Sequence, residues 1–448
     1  MDLLAKTDFD SLFAECKDHL VNLIRINTVN PPGNEKAAAE YIADSLFAEG
    51  LEPEVLESTP GRANMVVKIK GNGSAKPLLI CSHLDVVGVE PRHWRHDPFG
   101  GTSAEGCIWG RGALDMKNMV AMEMSAMLAL ARSGLTPGRD LIFCAVADEE
   151  AGCKYGSKWM LDNHPDRISA EYAIGEIGGF SVPIGKKTIY PIQIAEKGTC
   201  WIRVTAYGDP GHGSMPHQNN AVAKIGKAAA RITGASLPQH NTPAMKTNIE
   251  QISAALGRPY SIILPGLLNK WLSGFILNKL FSDKALAKTY RANLHNTANP
   301  TCLRAGEKIN VIPSSASMEI DGRILPGQTN ESFIREIEKR LGPGYHYEIL
   351  KSEPPVEGSA DDPVFEIIRK VIADHDHNGV AVASQVPAFT DAKFFTKTGA
   401  KYLGFSPVQL TKETKFVDLL HGHNERIPIE GLRWGLKIFL DFIGRAIQ

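Results

Sequence analysis

The chain has no C-x-x-C pair, and its seven cysteines are an odd number that intrachain disulfides cannot fully use. Cys81 and Cys144 fall within apolar, strand-like runs, where a free thiol packs as a small hydrophobe. The cysteine pattern argues against a disulfide-stapled scaffold, and a reducing, cytoplasmic setting is expected. Met1–Leu20 lacks a basic start followed by an apolar stretch, so no signal peptide is expected. Charge of one sign is missing too. The 49 Lys and Arg nearly balance 50 Asp and Glu, for a formal net charge of −1, and no basic run stands out. The charge therefore gives no general attraction to nucleic acid or acidic membranes, and no nucleic-acid partner is expected.

Long hydrophobic runs are also absent. The most apolar region, Leu256–Phe281, is interrupted by Arg258, Lys270 and Lys279 and by Pro259 and Pro265. Its longest uncharged piece, Pro259–Asn269, is far short of the roughly 20 residues that span a bilayer. No glycine-rich phosphate loop or basic phosphate clamp is present, which argues against a two-metal phosphoesterase.

What remains is an ordinary globular composition, 43% hydrophobic and 22% charged, in a chain of 448 residues that is too long for one core. Pro77–Cys81 and Leu141–Ala147 are short, nearly continuous apolar runs, as expected of strands covered on both faces. Between them Asp115 is placed to cap a helix from Met116 to about Arg132, with Gly134 as its stop, and an earlier helix over 35–49 closes at Gly50. Strands alternating with helices predict an α/β domain with a largely parallel sheet. After Lys197 the pattern changes to an alternating strand at Thr199–Tyr207, a helix over 221–233, strands at 309–312 and 316–324, and a helix over 331–341. This predicts a smaller α+β layer inserted into the first domain, with the chain divided as 1–196, 197–354 and 355–448.

Four distant stretches carry metal-binding side chains: Ser-His-Leu-Asp at 82–85, Gly-Arg-Gly-Ala-Leu-Asp-Met-Lys at 110–117, Asp-Glu-Glu at 148–150 and His-Gly-His-Asn-Glu at 421–425. Imidazole and carboxylate are the ligands that borderline and hard divalent cations take. In open α/β sheets ligands bind beyond the carboxyl ends of strands, and both His83–Asp85 and Asp148–Glu150 follow a predicted strand. His83 is a candidate ligand with Asp85 fixing its tautomer. Asp115 is a candidate bridge between two metals or simply a helix cap. Of Glu149 and Glu150, one can ligate while its neighbour carries a proton. Glu176, in Ile-Gly-Glu-Ile-Gly-Gly, is a further candidate, and spacing does not separate His421 from His423. His212 sits in a Gly- and Pro-rich turn, where a plain loop histidine is the simpler reading.

Together, from about Phe9 to Phe442 and in this order, the motifs resemble the M20 metallopeptidase family, most closely its branch of carboxypeptidase S and peptidase M20 domain-containing protein 1. That resemblance implies a zinc-exopeptidase-like catalytic domain with an inserted lid or dimerisation domain. It implies two Zn²⁺ per subunit (Co²⁺ or Mn²⁺ being possible occupants), held by His83, Asp115 as bridge, Glu150, Glu176 and His421, with Asp85 orienting His83 and Glu149 as general base. It also implies that His212 reaches a neighbouring subunit's site to stabilise an oxyanion, within a homodimer. Asn310, in Lys-Ile-Asn-Val-Ile-Pro, and Arg323, in Asp-Gly-Arg, are implied as substrate contacts, Arg323 gripping a carboxylate with two parallel hydrogen bonds. The implied reaction is hydrolysis of an N-acyl amino acid or of the C-terminal bond of a small peptide. A narrow biosynthetic deacylase (acetylornithine or succinyl-diaminopimelate type) and a non-catalytic metal-binding relative are the alternatives. The 256–281 segment lengthens the lid and would serve as an acyl-binding wall, a subunit interface or internal packing.

Overall fold

A computed structural model describes residues 2–411 and 413–448. They divide into two compact units, one built from Met1–Ile194, Gly358–Ser384 and Thr390–Gln448, the other from Ala195–Glu357 and Gln385–Phe389. The short return at 385–389 has no counterpart in the expected division.

In the first unit the apolar runs become the central strands Leu78–His83 and Leu141–Val146, buried along their whole length. They pair in parallel, and Leu78–His83 pairs in parallel with Tyr172–Gly175, which in turn pairs with Lys401–Gly404. Arg62–Ile69 runs antiparallel to Leu141–Val146, and Glu54–Thr59 continues that side. Burial on both faces explains why these strands read as continuous hydrophobic runs. The helix Lys117–Ser133 is buried from its first residue through Leu130. It packs between Phe9–Arg25 and the final helix Ile429–Ala446. Its stop is Gly134 in the left-handed conformation (φ 66°), as the sequence indicates.

Its start differs from expectation. Met116 holds the cap position and no side chain caps the helix, because the Asp115 carboxylate points to two imidazoles instead. A small three-stranded sheet pairs Cys107–Trp109 with Thr102–Ala104 and with Arg426–Pro428. It fastens the turn leading to Asp115 to the loop carrying His421.

The second unit is a four-stranded antiparallel sheet in the order Thr297–Ala305, Ser315–Ile324, Gly198–Tyr207, Tyr345–Glu353. Ser315–Ile324 alternates buried and half-buried residues, the period-2 signature of a sheet with one covered face. The helices Ala221–Thr233 and Asn330–Leu341 supply the cover, with Ile225, Ile232, Phe333 and Ile337 meeting Ile202, Val204, Met318 and Ile320. The ribbon Gly211–His212 with Val311–Ile312 is separate from this sheet.

Candidate metal centre

Three adjacent parallel strands end on the same edge, and each ends in a candidate side chain. Leu78–His83 ends in His83, Leu141–Val146 leads to Asp148–Glu150, and Tyr172–Gly175 leads to Glu176. The small sheet delivers Asp115 and His421 to the same place. His83 Nε2 lies 3.1 Å from Asp115 Oδ1 and 3.7 Å from Glu176 Oε2. His421 Nε2 lies 3.1 Å from Asp115 Oδ2 and 3.2 Å from Glu150 Oε2. The two oxygens of one carboxylate therefore face two different histidines. His423 is not in this cluster; its ring lies against His93.

The turns are held by side chains that motif reading passes over. Asp148 adopts a left-handed backbone (φ 67°), sparsely populated by non-glycine residues, as do Ile177 (φ 59°) and His421 (φ 56°). Asp148 accepts hydrogen bonds from Arg62 Nη2 and Asn30 Nδ2, both at 2.9 Å, and from the Tyr155 amide at 3.1 Å. The first carboxylate of Asp-Glu-Glu is thus spent on its own turn. Asp85 accepts from the amides of Glu149 and Glu150 at 3.0 and 3.1 Å and from Asn30 at 2.8 Å. Its main-chain carbonyl, more than its carboxylate, orients His83: Nδ1 donates to Asp85 O at 3.0 Å, while Oδ1 is 3.6 Å away. Either contact leaves Nε2 as the atom facing Asp115 and Glu176.

Glu425 was visible only as the tail of the His421 motif. It is fully buried and accepts from the amides of Gly112, Leu114 and Asp115 at 3.1, 2.7 and 3.1 Å and from Arg111 Nη1 at 2.7 Å. Arg111 Nη2 also donates to the Gly422 carbonyl at 3.0 Å. One buried ion pair thereby ties the Asp115 turn to the His421 loop. Asp391, another residue without a sequence signal, is buried and accepts from Ser157; its charge helps raise the Glu149 and Glu176 carboxyls.

Electrostatics follow from packing four carboxylates around two imidazoles in a water-poor edge. Burial would raise the Asp115 carboxyl, yet the hydrogen bonds from His421 and His83 hold it below the usual carboxylate range. Burial opposes charge on His83, but Asp115 and Glu176 keep its pKa well above that of a free imidazole. His421, against Asp115 and Glu150, is raised to about 10. Burial pushes Glu176 up to about 7 and, with the Glu176 charge second, pushes Glu149 well above the ordinary value.

Among the described residues two groups offer a cation three donors each, His83, Asp115 and Glu176 in one and Asp115, Glu150 and His421 in the other. The ligand atoms of each group lie within 4.8 Å of one another. Glu150 Oε1 is buried without a hydrogen-bond partner, an atom a cation would satisfy. The donor set, nitrogen and oxygen with no thiolate, fits divalent ions such as zinc.

The other three candidates belong to the second unit. His212 and Asn310 are neighbours, the Gly213 amide donating to Asn310 O at 2.8 Å. The Ser214 amide donates to His212 Nδ1 at 3.3 Å, and an accepting Nδ1 leaves the ring proton on Nε2. Arg323 sits at the other end of its strand from Asn310. Its Nε and Nη2 are occupied by Asp321 at 2.7 and 3.2 Å, so the pair of parallel hydrogen bonds expected for a substrate is already made within the chain.

Comparison with known proteins gives one answer throughout. Residues 79–445 match the model of peptidase family M20/M25/M40. The chain is 27% identical over 446 residues to the N-fatty-acyl-amino acid synthase/hydrolase PM20D1 of Xenopus tropicalis, covering 95% of this chain and 84% of that one. It is 28% identical over 431 residues to aminoacylase-1 of Sus scrofa, covering 94% and 92%. Among solved structures, the M20 family metallo-carboxypeptidase Sso-CP2 of Sulfolobus solfataricus superposes with a TM-score of 0.69 at 18% identity, over 96% of this chain and 98% of that one. The chain belongs to peptidase family M20/M25/M40 and is an amide hydrolase of that family.

Proposed function

We propose that this protein hydrolyses the amide bond of N-acyl amino acids or the C-terminal bond of small peptides, using two Zn²⁺ ions. The observation that carries the reading is the Asp115 carboxylate, whose oxygens each face one histidine at 3.1 Å. His83 and Glu176 would hold one ion, Glu150 and His421 the other, and Asp115 both; Co²⁺ or Mn²⁺ suits the same donors. When bound, such a pair supplies Lewis acidity and lowers the pKa of water.

The remaining steps fall to side chains. Glu149, buried beside the cluster, takes a proton from the attacking water and returns one to the departing amine nitrogen. Asp85 positions Glu149 through its amide. His212, with its proton on Nε2, donates to the developing oxyanion, where one donor is typically worth about 3 kcal/mol. Arg323 and Asn310 are the proposed contacts for the substrate's carboxylate end. Asp321 takes two of the three Arg323 nitrogens, and Nη1, which donates to Thr199 Oγ1 at 3.5 Å, is the one proposed to turn to substrate.

Eight residue-to-residue steps of strand, about 26 Å at 3.3 Å per step, separate Arg323 from Ser315, and Asn310 precedes Ser315. That length supports a homodimer in which one chain contributes Arg323 and its partner contributes His212 and Asn310. The relatives' names support the substrate class, since one is named an N-fatty-acyl-amino acid synthase/hydrolase and the other an aminoacylase. Six buried cysteines with no disulfide are in keeping with a cytoplasmic setting.

The test is a panel of N-acyl amino acids and dipeptides assayed on zinc-loaded protein with metal content measured in parallel. Release of amino acid from N-acyl substrates that disappears on chelation is expected; full activity without metal would overturn the reading. Mixing His212→Ala with Glu149→Gln chains should restore part of the activity, and a fully active monomer would remove the dimer from the proposal.

A further inference from the structure

The lengthened part of the second unit, between the helices Pro243–Leu256 and Lys284–Leu294, folds as short turns rather than as one helix. Glycine and proline at 257, 259, 265 and 266 break the helical repeat. The turns bury one set of side chains. Leu264, Leu267, Ile276 and Leu277 are covered, and Gly266 lies so close to Ile276 that a Cβ there would meet Ile276 Cδ1 at 2.6 Å.

A second set of apolar side chains is left outside. Trp271 is 80% exposed, Ile262 67% and Phe275 60%, and Leu272, Leu280 and Tyr260 are exposed with them. Single exposed apolar residues need no explanation, but so many large ones in one short segment mark an interaction surface. Charge gives an independent indication. From Arg258 to Arg291 there are six basic residues and one acidic residue, Asp283, in a chain whose overall formal charge is −1. The excess is scattered, so it forms no basic run. Arg258, Lys270, Lys279, Lys284 and Lys288 are all exposed. Asp283 is engaged in capping its helix through the amides of Ala285 and Leu286.

We propose that this face docks on the surface of an anionic lipid bilayer. Exposed Trp, Phe, Ile and Leu side chains are suited to the boundary between headgroups and acyl chains, and the lysines to the headgroup phosphates above them. Lys270 already lies over the Trp271 ring, 5.2 Å from its centroid, with both side chains facing solvent. A two-fold contact between copies would set this surface against itself, opposing like charges with little to offset them. An anionic surface complements it. The proposed contact is with the bilayer surface; among the described residues no helix is long and apolar enough to cross a membrane.

Co-sedimentation of the full chain with vesicles of phosphatidylcholine alone, or of phosphatidylcholine with phosphatidylserine, tests the proposal. Binding to the anionic vesicles is expected, weakening as salt is raised. Lys270→Gln with Lys279→Gln should lower partition roughly 30-fold, at about 1 kcal/mol per charge. Trp271→Ser with Ile262→Ser should abolish it at an unchanged thermal midpoint. No binding, equal binding to both vesicle types, or indifference to both pairs of substitutions would overturn the proposal. A fall in sedimentation mass caused by Trp271→Ser with Ile262→Ser, without vesicle binding by the parent, would assign the surface to a second copy instead.

Discussion

The candidate residues of the two units are held in opposite ways. In the first unit several candidate side chains have turns tied down by a second, buried group, as Asp85 ties Glu149 and Glu150 and as Glu425 ties Asp115. In the second, His212 is exposed on a two-residue ribbon, with Ser214 against its ring. Gathering like charges at a buried edge is costly, so the carboxylate cluster requires a rigid frame. A hydrogen-bond donor that engages only when substrate arrives does not. The contrast predicts that substitutions of the buried framing groups in the first unit act on stability and metal together, while those in the ribbon act on turnover alone.

The largest expected effect tests the proton carrier. Glu149→Gln should cut kcat by up to about 10⁴-fold while metal content stays at the parent value; turnover near the parent's would remove Glu149 from its role. Next is the frame itself. Glu425→Ala leaves Arg111 buried and unpaired and should cost about 3–5 kcal/mol in denaturant unfolding, with loss of bound metal. If stability held and metal stayed, the Asp115 turn would not depend on that ion pair.

A smaller, cleaner effect is expected from the ribbon. His212→Ala should lower kcat about 10²- to 10³-fold with no shift in the unfolding midpoint. A large stability change would erase the distinction between the two units.

The smallest effect concerns pH. Lys197 is buried, its amine donating to the carbonyls of Ala292 and His295 at 2.9 and 2.8 Å, and burial lowers its pKa from 10.5 to about 7. Between these values the unfolded chain binds more protons than the folded one, so this lysine makes stability rise with pH from about 7 towards 10.5. The gain is at most about 1.4 kcal/mol per pH unit. Lys197→Met should remove that rise from urea midpoints measured at pH 7 and 9; an identical slope in both proteins would show that the folded chain keeps the amine protonated across that range.

Legibility followed the physics of each element. His83 and Glu150 could be located because the apolar runs before them announce buried strands, and strand ends are where such sheets bind. Glu176 was harder, since its strand, Tyr172–Gly175, is only four residues long. Asp115 was ambiguous because a helix cap and a metal ligand demand the same residue type. Arg62 and Asn30 carry no signal, and Arg111 and Glu425 stand in the motifs without a role that can be read there: their importance lies in pairings such as Arg111 with Glu425, which no local pattern encodes. The two faces of the 256–281 segment were hidden for another reason, as Gly and Pro break the repeat by which an exposed stripe is recognised.

The tie between Arg111 and Glu425 also dictates an order of assembly during synthesis. Residues that frame the Asp115 turn emerge from the ribosome long before His421 and Glu425 do. The second unit, nearly continuous from Ala195 to Glu357, is translated almost in full while the first still lacks its closing strand and helix. A nascent chain therefore cannot bring His421 and Glu425 to the Asp115 turn until its last few dozen residues are out, and any product terminated before His421 would leave that turn loosened and without one of its two imidazoles.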